Sequence, residues 1–79
     1  MYVGKIKMDE LRNAHAIVND LWQLIKKYYV PESNPDDPYW HNLMNEAERI
    51  VIKNNNHRLA QKLTLAFLDY VEEAAHGRP

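Results

Sequence analysis

The residues best equipped for chemistry are four histidines, His15, His41, His57 and His76, since imidazole binds metals and exchanges protons near neutral pH. Spacing decides whether they can act together. Two ligands on one helix reach a common ion at i, i+3 or i, i+4; no two histidines stand so, and HExxH does not occur. Glu73 and His76 make a single ExxH step, whereas carboxylate di-metal bundles need two such steps and two further carboxylates. Glu32, Asn34 and Asp36 alternate like the first ligands of a calcium loop, but Asp37 stands where that loop turns on Gly and Leu43 where it ends on Glu. Ser33 is the only serine and has no GxSxG turn around it, and Gly4 and Gly77 cannot make a phosphate-binding loop. Glu46 and Glu48 lie two apart on a helical pattern and diverge. With no cysteine there is no thiolate site and no disulfide. Solvated side chains account for all of these groups, so the expectation is a protein without catalysis, metal or cofactor.

The stronger pattern is apolar, and it sets the elements that must carry any site. At about 100° per residue, Leu59, Leu63, Ala66, Phe67, Tyr70, Val71 and Ala74 share one side of a helix, with Arg58, Gln61, Lys62, Asp69 and Glu72 opposite. This predicts a helix over 57–75, capped by Asn56 and closed by Gly77. Leu11, Ala14, Val18, Leu21, Ile25 and Tyr28 recur at steps of three and four, the seam of a helix packed lengthwise on another. They predict a helix over 9–29 with Asp9 as its cap; Trp22 and Tyr29 widen the stripe on one edge, Ile17 and Leu24 on the other. Pro31 stops that helix, a proline-stiffened link covers 30–37, and Asp37-Pro38 pairs a cap with a first-turn proline. The next helix runs over 38–53 and buries Trp40, Leu43, Met44, Ala47, Ile50 and Val51. Asn54, Asn55 and Asn56 make a corner at 54–56, because Asn tolerates left-handed backbone. Residues 1–8, with Tyr2, Val3 and Ile6 around Gly4, read as a short extended arm. The expected fold is therefore all-α, a small antiparallel three-helix bundle forming a single domain over 1–79.

Charge and size narrow the partners. Ten basic and eleven acidic residues leave a net charge of −1, which does not suit a binder held by nucleic-acid phosphates. Residues 30–52 are the acidic part, with five carboxylates against Arg49. A helix-turn-helix would present Arg58, Gln61 and Lys62, but Asp69, Glu72 and Glu73 follow on the same helix and repel phosphates. No stretch approaches the ~20 apolar residues of a membrane span and no hydrophobic leader is visible, so neither a membrane nor export is expected and the cytoplasm is. A chain of 79 residues buries only about 60% of its unfolded surface, and a homodimer is a natural remedy for so thin a core.

Some apolar residues fall outside the predicted core. Leu65 and Leu68 break the polar arc of the last helix and Ile52 points with the polar face of the second; Tyr28, Tyr29, Tyr39 and Trp40, which bracket the link, read first as core closing one end of the bundle and second as an interface. Surplus apolar surface of this kind marks interaction sites. The candidate interface residues are Leu65, Leu68, Glu72 and Ile52 on the helices and Glu32, Asp36, Asp37 and Tyr39 in and beside the acidic link.

The pair Leu21-Trp22, the run Lys27-Tyr28-Tyr29 followed by Pro31, Tyr39-Trp40 ahead of Glu46-Ala47, and the closing Ala66-Phe67-Leu68-Asp69-Tyr70 resemble small uncharacterised helical proteins of Gram-positive phages and prophages. The resemblance covers about residues 20–75 and carries no chemical motif, so it transfers no site. It implies a mobile-element accessory protein in a bacterial host, of the kind that binds and blocks host or defence proteins such as CRISPR effectors. Residues and resemblance together lead to the expectation of a non-enzymatic protein-binding module. A small DNA-binding regulatory domain and a purely structural self-associating protein are the alternatives.

Overall fold

The computed structural model describes residues 8–77, so the arm expected at 1–8 lies outside the described residues except for Met8, which opens the first helix. Three helices follow, α1 Met8–Tyr28, α2 Pro38–Lys53 and α3 Arg58–Ala75, and each packs on both of the others. The architecture is a small all-α bundle, with no strand among the described residues. α1 begins before Asp9, which sits with Glu10 in the first turn and not at the cap; Lys26 and Lys27 occupy the last turn, so both ends oppose the helix dipole.

The connections show why the helices stop where they do. Asp37 is extended and caps α2 by accepting the Tyr39 N–H at 2.8 Å, with Pro38 behind it in the first turn. Asn34 organises the link before it: its side chain accepts the Asp36 N–H at 3.0 Å and its carbonyl accepts the Asp37 N–H at 3.1 Å. At the second corner Asn55 and Asn56 both take φ of 57°, and the Asn56 N–H donates to the Val51 carbonyl at 2.8 Å. A left-handed residue cannot also be an extended cap. That role passes from Asn56 to His57, whose Nδ1 accepts the Leu59 N–H at 3.0 Å. Asp20 of α1 ties this corner down, accepting from Lys53 at 3.0 Å and from the Asn54 amide at 3.2 Å. Gly77, at φ 70°, closes α3 in the left-handed position and donates its N–H to the Ala74 carbonyl at 3.1 Å.

The core joins Leu24 and Tyr28 of α1, Leu43 and Ala47 of α2, and Phe67 and Val71 of α3. Two helices are rotated from the expected facing. In α3 the buried line is Ala60, Thr64, Phe67 and Val71, while Ala66 and Tyr70, expected inside, are exposed. Thr64 is polar and Ala60 is small, so neither weighs in a hydrophobic stripe; the Thr64 hydroxyl is satisfied by donating to the Ala60 carbonyl at 2.8 Å, which makes its burial cheap. In α1 the edge residues Ile17 and Leu24 are the core, and Leu11 and Val18 of the expected seam face outward.

One polar network runs through the packed end of the bundle. The Tyr28 hydroxyl donates to Glu46 of α2, Lys27 donates to both oxygens of the same carboxylate at 2.9 and 3.0 Å, and the Tyr39 hydroxyl donates to the Tyr28 carbonyl at 2.6 Å. Burial, then the bond to Glu46, pushes the Tyr28 phenol up to about 12. Glu46 moves the other way: the bond from Tyr28 holds its carboxyl below the ordinary 4.5, outweighing partial burial, with Lys27 adding to the effect. A depressed carboxyl contributes stability that is complete above its ordinary value and is lost as pH falls through the lower folded value. Glu46→Ala should therefore strand the Tyr28 hydroxyl and cost about 1–3 kcal/mol in thermal unfolding at neutral pH. Glu46→Gln should flatten the acid limb of a Tm-against-pH curve, because the group that titrates there is gone.

Candidate functional site

Among the described residues ten large apolar side chains stay exposed, a surplus of the kind that marks interaction surfaces. Part of that surface lies between α2 and α3. Met44, Ala47 and Val51 of α2 face Thr64, Leu65 and Leu68 of α3 across a groove of about 330 Å³, with Asn45, Glu48 and Gln61 at its edges. Met44 also belongs to a neighbouring hollow of about 360 Å³, where Glu32, Ser33 and Pro35 of the link and Trp40 of α2 meet Glu72, Ala75 and His76 of α3. The two hollows adjoin at Met44, which lines both, and form the two parts of a trough. Its walls carry three carboxylates, Glu32, Glu48 and Glu72, and no lysine or arginine among the described lining residues. Ion pairs among the described residues join Arg12 to Asp9, Lys27 to Glu46 and Lys53 to Asp20, and use none of these three.

Local structure explains how each wall is placed. Trp40 stands in the first turn of α2, its indole N–H donating to the Asn34 carbonyl at 3.2 Å and its ring meeting Tyr39 edge-on at 4.9 Å between centroids. Glu32 accepts the Asn34 N–H at 3.2 Å, which holds the carboxylate over the link. Leu65 is 60% exposed and leans on nothing that needs it for folding. Leu68, expected on a wet face, instead packs against the core while lining the groove. The α3 rotation that exposes Tyr70 is the same one that turns Leu68 inward.

The structure thus gathers Leu65, Leu68, Glu32 and Glu72 of the expected interface residues and disperses the others. Asp37 is occupied as the α2 cap, and Tyr39 is half-buried with its hydroxyl on the Tyr28 carbonyl. Asp36 is an exposed turn residue, and Ile52, 62% exposed, lines neither part of the trough. Met44, expected in the core from its spacing, is 56% exposed, whereas Trp40 packs against the core as expected and lines the trough as well. Met44 stands at the margin of the α2 stripe, and its unbranched, polarisable side chain suits an adaptable contact surface.

A further hollow of about 280 Å³ between α1 and α2 is lined by Asp20, Lys27, Glu46, Arg49 and Lys53. Its charges are largely spent on one another through the Lys27–Glu46 and Lys53–Asp20 pairs. Among the described residues no three metal-ligating side chains converge, and no helix is long and apolar enough to cross a membrane. What the trough can do is bind an apolar surface with positive charge at its edge.

No family model, curated protein or solved structure matches this chain.

Exposure and packing separate the two leucines. Leu65→Ser should change thermal stability by no more than about 0.5 kcal/mol, whereas Leu68→Ser should cost about 1–3 kcal/mol. Thermal melts of the two variants followed by circular dichroism measure the difference.

Proposed function

We propose that this protein is a non-enzymatic protein-binding module whose α2–α3 trough receives one amphipathic helix of a partner, apolar on its inner face and basic on its flanks. The observation that carries the reading is the trough itself: Met44, Val51, Leu65 and Leu68 line an apolar hollow beside Glu48, and Met44 leads into the adjoining hollow beside Glu32 and Glu72. Helix-in-groove recognition uses anchors at i, i+3 or i+4 and i+7, and two antiparallel helices with a groove between them supply that geometry. Carboxylate rims steer and select a basic partner without supplying most of the affinity. A nucleic acid is disfavoured at this face for the same reason, since Glu72 and Glu73 on α3 repel phosphates.

The resemblance to short phage and prophage proteins supports a narrower form of the reading. The module is then an accessory protein of a mobile element that occupies a surface on a host or defence protein, such as a CRISPR effector, and blocks it. Occupation needs no chemistry, only a surface that competes.

A Leu/Lys amphipathic helix of about 15 residues and its Leu/Glu counterpart are the probes. The Leu/Lys peptide should bind and shift the Met44 and Leu65 methyl resonances, and Glu48→Lys combined with Glu72→Lys should weaken it about tenfold or more. Equal binding of the Leu/Glu peptide, or shifts confined to α1, would sink the reading. For the narrower form, expression of the wild type in cells with an active CRISPR system should restore establishment of a targeted plasmid, and the Met44→Ser, Leu65→Ser double variant should not.

A further inference from the structure

The trough takes Met44 and Leu65 and leaves most of the exposed apolar residues without a role. On α1, Met8, Leu11, His15, Val18, Trp22, Ile25 and, just past its end, Tyr29 follow one another at steps of 3, 4, 3, 4, 3 and 4 residues. This is the heptad spacing of a helix–helix seam. It lies on the outside of the bundle: Val18 is 52% and Trp22 53% exposed, and only Ile25 reaches the core. Ile17, Leu24 and Tyr28 form a different, inner line of the same helix, so α1 carries one seam for its own bundle and a second that the described residues leave largely open. Tyr70 of α3 extends the second seam by stacking on Tyr29, with centroids 6.1 Å apart and planes 23° from parallel.

We infer that this outer seam is a homodimer interface, in which α1 of one copy packs antiparallel on α1 of another. The seam is self-complementary in that arrangement. Its central apolar residue is Val18, so a two-fold axis there sets Val18 against Val18 of the other copy, Leu11 against Ile25, and Met8 against Tyr29. The area suffices as well. Trp22, Tyr29 and Tyr70 are each about half exposed, on the order of 100 Å² per ring, so pairing removes about 600 Å² from the six aromatics alone, half of the ~1,200 Å² at which stable interfaces begin. Leu11, Val18 and Met8 supply the remainder.

The seam and the trough are separate surfaces, so the dimer stands or falls independently of partner binding. Light scattering over a dilution series should give wild type a mass twice its 9.4 kDa. Val18→Asp, which sets two carboxylates against each other on the two-fold axis, should raise the dimer dissociation constant at least about 100-fold with helicity unchanged. Leu65→Ser should stay dimeric. Because the sequence has no cysteine, single replacements report geometry: Val18→Cys should oxidise to a disulfide-linked dimer, and Leu11→Cys should not, since its counterpart lies at the far end of the seam. A monomeric wild type, a Val18→Asp dimer of undiminished affinity, a dimer dissociated by Leu65→Ser, or ready cross-linking through Leu11→Cys would each overturn the assignment.

Discussion

A phenol buried between two helices must find an acceptor, and the way Tyr28 does so sets the geometry of this bundle. Its hydroxyl reaches Glu46 of α2, its ring meets Tyr39 edge-on at 5.2 Å between centroids, and its carbonyl accepts the Tyr39 hydroxyl. One residue at the end of α1 thereby fixes the register of α2 and brackets the proline link between them. Lys27 completes the acceptor's neutralisation from the exposed side. At the opposite end Asp20 does the corresponding work with Lys53 and Asn54, so α1 and α2 are clamped near both ends of their overlap. α3 has no such polar clamp among the described residues and is held by Phe67, Val71 and the close-packed Ala60 and Thr64.

That asymmetry bears on binding. The α1–α2 groove is lined by charges that are largely paired with one another, whereas the groove between α2 and α3 is mainly apolar. Three helices of 16 to 21 residues carry more apolar surface than a single narrow core can take in. Most of the surplus is gathered, in a trough with acidic edges and in a heptad seam with aromatic rings, while Val30 and Ile52 lie outside both. The two surfaces differ in kind, which is why two different occupants are proposed for them, a basic partner helix and a second copy of the chain.

Local signals were readable wherever one residue type has one physical job. Asp37-Pro38 marked the start of α2, the asparagine run marked a left-handed corner, and Gly77 marked the end of α3, because capping and positive φ depend on nearest neighbours alone. The facing of α1 and α3 was not readable in the same way. Both helices carry apolar residues through an arc wider than one neighbour can cover, and periodicity finds the centre of that arc without knowing which part a neighbour occupies. Hence Leu68 and Tyr70 exchanged places, and of the three odd apolar residues Leu65 and Leu68 line the α2–α3 groove while Ile52 does not.

The amino-acid sequence by itself determined three amphipathic helices, their breaks and an excess of apolar residues over what a chain of this size can bury. Which apolar residues became core was decided only in the tertiary structure, where small Ala60 and self-satisfied Thr64 let α3 approach closely and turned its bulkier neighbours outward. The trough likewise exists only there. Glu32 and Glu72 are forty residues apart in the chain, and the antiparallel return of α2 and the end of α3 bring them to one hollow. Local sequence governs backbone conformation through short-range sterics and hydrogen bonds; the shape of a surface depends on which side chains meet across helices, and that is settled only by packing.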